Sequence, residues 1–177
     1  MAMILASQSP RRRELLGQMG FSFTVRPARG EELPHPELTP AQLVEELARQ
    51  KALEVSAGAD ADDVVVAADT VVAVDGTVLG KPRDRAHAAE MLSALSGREH
   101  TVYTGVAVKR GEKLLVEHEA TIVRFRPLTQ REIHLYLQTG EPMDKAGGYG
   151  IQGYGALLVE GIRGDYFNVV GLPMCCL

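Results

Sequence analysis

The stretch from Val64 to Val74 constrains the fold more than any other part of the chain. Val64-Val65-Val66-Ala67-Ala68 is a continuous apolar run, the pattern of a central strand covered on both faces. Asp69 and Thr70 interrupt it, and Val71 to Val74 resumes it. Asp75-Gly76 then marks a tight hairpin turn, and Thr77-Val78-Leu79 returns. A strand of this kind needs helices to cover it, and the surrounding sequence supplies them.

Met3 to Ala6 reads as a short buried strand. Ser9 then stands as an N-cap with Pro10 at the first helical position, Leu15, Leu16 and Met19 form an apolar stripe, and Gly20 ends the helix. Phe21 to Val25 is expected to be a second strand, and residues 26–38, with three prolines, an irregular loop. Thr39-Pro40-Ala41-Gln42 has the form of a capping box that opens a helix with Leu43, Leu47 and Ala48 inward. Asp84 caps a helix carrying Ala88, Met91, Leu92 and Leu95. Thr101 to Val108 and Leu114 to Phe125 alternate as a paired hairpin. Thr129-Gln130-Arg131-Glu132 opens a further helix ended by Gly140, and a strand is expected near Ala156 to Glu160. The pattern implies one α/β domain over residues 1–177, with a mixed, partly hairpin-connected sheet flanked by helices.

Bulk properties exclude several classes. A 45% hydrophobic and 24% charged chain of 177 residues is ordinary for a globular protein. The net charge of −4 argues against a general nucleic-acid binder. No apolar run approaches the roughly 20 residues of a membrane span, and no signal-peptide pattern is visible, so no membrane partner is expected. The two cysteines, Cys175 and Cys176, are adjacent and form neither a disulfide framework nor a spaced metal site. A reducing, cytoplasmic location is therefore expected.

Four segments could carry chemistry. Ser7-Gln8-Ser9-Pro10-Arg11-Arg12 opens the first helix, where free N–H groups, hydroxyls and guanidinium groups suit phosphate oxygens. Its plainer reading is an N-cap with solvated arginines. Asp69 follows the most apolar run; a carboxylate there can activate water or hold a divalent cation, or it can be a turn residue. Lys81, between Gly80 and Pro82, sits on stiff backbone, although most such lysines are merely solvated. Asp144-Lys145-Ala146-Gly147-Gly148-Tyr149-Gly150-Ile151-Gln152-Gly153 joins a carboxylate, an ammonium, an amide and glycines, a mixture that suits a polyanion. Gly148 to Gly153 fits G-x-G-x-x-G by spelling, but no helical pattern follows and no acidic residue stands about 20 positions on. There is no P-loop and no G-x-S-x-G nucleophile element. Among the five histidines only His100, after Ser96-Gly97, stands apart from solvated-face patterns.

Taken together, these blocks resemble the Maf family of nucleoside triphosphate pyrophosphatases. The likeness extends to Glu31-Glu32, Lys51-Ala52 and Asn168-Val169-Val170-Gly171-Leu172-Pro173, and runs in order along nearly the whole chain. It implies a fold like that of the inosine-triphosphate pyrophosphatase group, a homodimer, and a divalent cation, Mg²⁺ or Mn²⁺. The implied reaction is hydrolysis of a nucleoside triphosphate to the monophosphate and pyrophosphate. The family is viewed as cleaning nucleotide pools, and its older label is septum-formation inhibitor. By position, Asp69 matches the proton acceptor, while Arg11, Thr70 and Gln152 match the specificity residues of the dTTP/UTP branch. Ser7, Arg12, Glu32, Lys51, Lys81 and Lys145 match positions attributed to metal and phosphate handling, with Glu32 and Asp69 expected to hold the metal. The resemblance departs at Glu31, where Asp is commoner, and past Pro173, where relatives usually continue into a longer helix. Competing expectations are a 7-methyl-GTP or other modified-nucleotide pyrophosphatase, and a non-enzymatic regulator of cell division.

Overall fold

The computed structural model describes residues 1–32 and 35–177. Its strands are β1 (Met3–Leu5), β2 (Thr24–Val25), β3 (Val64–Val74), β4 (Thr77–Leu79), β5 (Glu99–Arg110), β6 (Lys113–Phe125) and β7 (Val159–Arg163). They form one sheet in the order β2-β1-β3-β5-β6-β7, with β4 paired to β3. Helices α1 (Pro10–Gln18), α2 (Pro40–Ser56), α3 (Arg85–Leu95), α4 (Gln130–Gln138) and α5 (Tyr166–Val170) complete the mixed α/β architecture. β1 runs parallel to both β2 and β3, whereas β3–β4 and β6–β7 are antiparallel.

Local chemistry sets most of the boundaries. Ser9 caps α1, with Pro10 in the first turn. Thr39 with Gln42, and Thr129 with Glu132, form reciprocal capping boxes on α2 and α4. Asp84 caps α3 through the His87 amide. Asp75 at φ 50° and Gly76 at φ 75° make the β3–β4 turn, whose twist matches the strands it joins.

Two expected strands differ. The strand expected over Phe21 to Val25 is only Thr24–Val25, because β1 itself is short and offers partners only through Ile4↔Thr24 and Leu5↔Val25. The strand expected near Ala156 to Glu160 begins at Val159; Gly153–Leu158 is a 3₁₀ turn instead. The loop expected over residues 26–38 has no helix or strand where it is described, and Leu33 and Pro34 lie outside the described residues.

The chain divides into two compact units. The first contains Met1–Asp69, Thr104–Glu119 and Gly171–Leu177. Its core joins Ile4, Ala6, Val65, Ala67 and Ala107 to Ala48, Ala52 and Val55 of α2. Small residues let helix and sheet approach closely. At Gly105 a Cβ would lie 2.1 Å from the Val44 carbonyl oxygen, so any side chain there would push α2 away. Leu172 is fully buried and anchors the C-terminal segment to this unit. Burying a leucine contributes about 2 kcal/mol.

The second unit contains Thr70–Tyr103 and Ala120–Val170. Val72, Val74, Leu92, Leu95, Val102, Val123, Phe125, Ile133 and Leu137 are in its core. Asn168, fully buried, donates from Nδ2 to the Val102 carbonyl and to Thr121 Oγ1, both at 3.0 Å, tying α5 to β5 and β6. His100, Phe125 and Tyr149 form an edge-to-face cluster with centroids 4.6 to 5.3 Å apart. A 2.7 Å hydrogen bond links His100 Nε2 to the Tyr149 hydroxyl. Burial lowers the His100 imidazole to about 4, so it is neutral at physiological pH.

In the unfolded chain this histidine titrates near 6.5. Between pH 6.5 and 4 the unfolded state therefore binds the extra proton, and stability falls as the pH drops through that window. A downward shift to about 4 corresponds to roughly 3 kcal/mol lost by pH 4. We expect His100→Phe to flatten this part of the pH dependence while retaining the aromatic cluster. Urea unfolding at several pH values between 4 and 7 measures it, and an unchanged slope in the variant would assign the dependence to other groups.

Candidate active site

β1 ends at Leu5, and the Ala6 amide still donates to the Val66 carbonyl at 2.8 Å. β3 continues beyond that point to Val74. Asp69 therefore lies within its strand rather than at its carboxyl end, but past the last residue that β1 covers. The carboxylate is 13% exposed in side-chain terms. A carboxylate so placed needs compensation, since a buried charge without a partner costs several kcal/mol. Lys51, one turn or more from either end of α2, provides it. Lys51 Nζ pairs with Asp69 Oδ1 in a short contact and with Glu32 Oε1 at 2.7 Å. One ammonium thus bridges two carboxylates, one half-buried and one exposed.

The turn after β1 brings a second cation into the same field. Arg12 Nε donates to the Gly171 carbonyl at 2.7 Å, and its Nη1 donates to Ser7 Oγ at 3.2 Å. Ser7 Oγ also accepts from the Ser9 amide at 3.2 Å, and Ser9 Oγ caps the Arg12 amide. Burial holds the Arg12 guanidinium below its ordinary value; Asp69 opposes that, Arg11 adds to it, and Glu32 opposes it. Arg12 is thus aimed by its contacts and feels both carboxylates. Arg11 is partly buried beside it. Ser7, Arg11, Arg12, Glu32, Lys51 and Asp69 all belong to the first unit.

The remaining sequence-predicted residues, Thr70, Lys81, Lys145 and Gln152, belong to the second unit. Thr70 is partly buried on β3, and Lys81 is exposed. The Gly80 carbonyl accepts from the Gly147 amide at 3.0 Å, which ties the lysine-bearing turn to the glycine-rich segment. Lys145 is nearly enclosed: Nζ donates to the Glu141 carbonyl at 2.8 Å and to Asp144 Oδ1 at 2.7 Å. Its stem lies against Gly150, where a Cβ would meet Lys145 Cε at 2.7 Å. Gln152 is exposed and precedes the 3₁₀ turn without capping it through its side chain.

The sequence reading missed what holds this segment. Glu141 accepts from the Tyr136 hydroxyl at 2.9 Å, the Tyr154 amide at 3.0 Å and the Gly155 amide at 3.0 Å. Tyr136 in turn accepts from the Gly150 amide at 3.3 Å. One carboxylate and one phenol thereby fix the backbone on both sides of Gln152. Tyr136 reads as a core aromatic from helical spacing, and Glu141 as a plain residue after Gly140, so no local pattern distinguishes the pair.

A family model described as Maf-like protein matches residues 2–177. The chain belongs to the Maf family. Among curated Maf relatives, a protein from Moorella thermoacetica is 58% identical over 97% of this chain and 89% of its own length. One from Symbiobacterium thermophilum is 57% identical over 97% of this chain and 88% of its own. One from Bacillus pumilus is 52% identical over 97% and 90%. All three are named dTTP/UTP pyrophosphatase. A solved structure titled nucleoside-triphosphatase / dITP/XTP pyrophosphatase, from Mycobacterium abscessus, is 21% identical, with a TM-score of 0.46 over 71% of this chain and 73% of that one. No helix among the described residues is long and apolar enough to cross a membrane.

The Tyr136–Glu141 pair yields a direct prediction. Tyr136→Phe removes both the donor to Glu141 and the acceptor for the Gly150 amide. Losing such buried partners costs about 1–3 kcal/mol, so the amides of Gly150, Tyr154 and Gly155 should exchange roughly tenfold faster or more. Hydrogen–deuterium exchange on the variant reads this. Unchanged protection would show that the segment is held by something else.

Proposed function

We propose that this chain hydrolyses dTTP and UTP to the nucleoside monophosphate and pyrophosphate, with a divalent cation bound. The observation that carries this reading is the convergence of Asp69 and Glu32 on Lys51, within the electrostatic reach of Arg12. The names of the Maf relatives supply the substrate. The donor set suits a hard cation: two carboxylates share one point of positive charge, and Mg²⁺ or Mn²⁺ prefers oxygen ligands. Asp69 and Glu32 would hold it. When bound, the cation neutralises phosphate charge and lowers the barrier to attack.

The chain's own residues account for the other steps. Triphosphate oxygens give Lys51 an alternative partner, which releases Asp69 Oδ1 to face water. Asp69 takes a proton from that water as its oxygen bonds the α-phosphorus. The bond from that phosphorus to the bridging oxygen breaks, and pyrophosphate leaves. Arg12, oriented by Ser7 and Gly171, stabilises the charge that develops on the phosphoryl oxygens. Lys81 and Lys145 act on the phosphates, and Arg11, Thr70 and Gln152 select the nucleotide, in the roles the family resemblance implies. A site that hydrogen-bonds the base edge discriminates strongly against analogues lacking those groups. The protein works in this reading as a cytoplasmic homodimer.

Pyrophosphate release from dTTP, UTP, CTP, GTP and 7-methyl-GTP, with and without Mg²⁺ or Mn²⁺, tests the reaction. Metal-dependent turnover led by dTTP or UTP is expected; turnover led by 7-methyl-GTP, or none at all, would overturn it. Asp69→Asn should lower kcat by roughly 10²- to 10⁴-fold with the fold retained by circular dichroism. Turnover near that of the unmodified chain in this variant would remove Asp69 from the role of base. Light scattering on the eluting protein measures the assembly, and a monomer mass would exclude the dimer.

A further inference from the structure

The C-terminal residues place two thiols against a carboxylate 56 residues away in sequence. Cys175 and Cys176 lie in the 3₁₀ turn Met174–Cys176, and Glu119 projects from β6. The Cys175 thiol donates to Glu119 Oε2 at 3.8 Å. Both sulfurs and a Glu119 oxygen lie within 4.8 Å of one another. We propose that Glu119, Cys175 and Cys176 form a binding site for a thiophilic divalent cation of the zinc class.

Geometry supports this occupant. Tetrahedral zinc, with Zn–S near 2.3 Å and Zn–O near 2.0–2.2 Å, sets such donors roughly 3.5–3.8 Å apart. The Cys175–Glu119 separation of 3.8 Å already has that spacing. The other separations must close by about 1 Å at most to reach it. Three protein ligands leave the fourth position for water or another donor. Two thiolates prefer borderline and soft ions over Mg²⁺ or Mn²⁺, so this site is chemically distinct from the all-oxygen pair Asp69 and Glu32.

The surroundings are consistent with a cation. Glu117, on the same strand, adds further negative charge that acts on Cys176. Cys175 is exposed and Cys176 partly so, which gives an ion a path from solvent. The backbone that carries them is already anchored, through buried Leu172 and through the Gly171 carbonyl that accepts from Arg12. On binding, two Zn–S bonds form, two S–H bonds break, and both protons pass to water; nothing is oxidised or reduced. Sequence spacing alone excluded a site here, because the third ligand comes from a distant strand.

The test uses the full chain, reduced and stripped with a chelator, then titrated with Cd²⁺ while the cadmium–thiolate charge-transfer absorption is followed. A single saturating equivalent is expected, displaced by Zn²⁺ and absent from Cys175→Ser and Cys176→Ser. Glu119→Gln should retain the absorption but weaken binding by at least about tenfold, the loss that removing even an outer-shell partner brings. Zn²⁺ should also raise the melting temperature by several degrees, and leave that of the double serine variant unchanged. Absence of the thiolate absorption at stoichiometric Cd²⁺ would overturn the proposal. So would an affinity unchanged by Glu119→Gln, which would reduce the feature to a pair of exposed thiols. None of these readouts depends on nucleotide hydrolysis.

Discussion

A carboxylate set into the most apolar strand of a chain must be matched by a cation, and the Lys51–Asp69 contact is that match. Its consequences spread outward. Lys51 can reach Asp69 only because α2 lies close on the sheet, and α2 lies close because Gly105 has no side chain where the Val44 carbonyl passes. Alanines 48 and 52 on the helix face Ala67 and Ala107 in the same core. The small residues of this packing layer are thus the condition for an ion pair, not merely filler. Lys51 also reaches Glu32, and so gathers a second carboxylate from a segment without regular structure.

The resulting group is poised rather than neutralised. A lysine shared by two carboxylates leaves one excess negative charge, and Arg12 lies within its field while being fixed by Ser7 and Gly171. Removing water from Arg12 weakens its hold on its proton, whereas Asp69 and Glu32 favour the charged form. Anions and cations are here arranged so that an incoming charged group can substitute for contacts already present. Such substitution involves less reorganisation than building the charge pattern anew, which is the physical sense of preorganisation.

Sequence reading captured what depends on local rules. Ser9, Thr39, Asp84 and Thr129 each cap the helix they were expected to cap, because capping needs only residues three positions apart. The Asp75-Gly76 turn was legible for the same reason. β2 was overextended because its length is set by a partner, β1, that is itself short. β7 was placed too early because the amides of Tyr154 and Gly155 turn toward Glu141, a residue that no periodicity distinguishes. The site followed the same division. Asp69 stood out from its apolar run, while its partner Lys51 is 18 residues away and looks like an ordinary helix lysine. His100 stood apart from the other histidines, yet its burial against Phe125 and Tyr149 is a property of three separate segments.

The two units solve one problem in different ways. The first aims its polar groups through ion pairs and guanidinium contacts, which respond to any charged ligand that offers better partners. The second fixes its glycine-rich segment through a carboxylate that accepts two amides and a phenol, and through the same phenol, which accepts a third amide. Gly155 shows how tight that hold is: a Cβ there would lie 1.8 Å from the Gly150 carbonyl oxygen. Side chains hold a site's geometry only as well as the contacts that support them. Lys51 and Asp69 stand on an exchangeable ion pair, whereas Gln152 stands between backbone amides that Tyr136 and Glu141 hold in place.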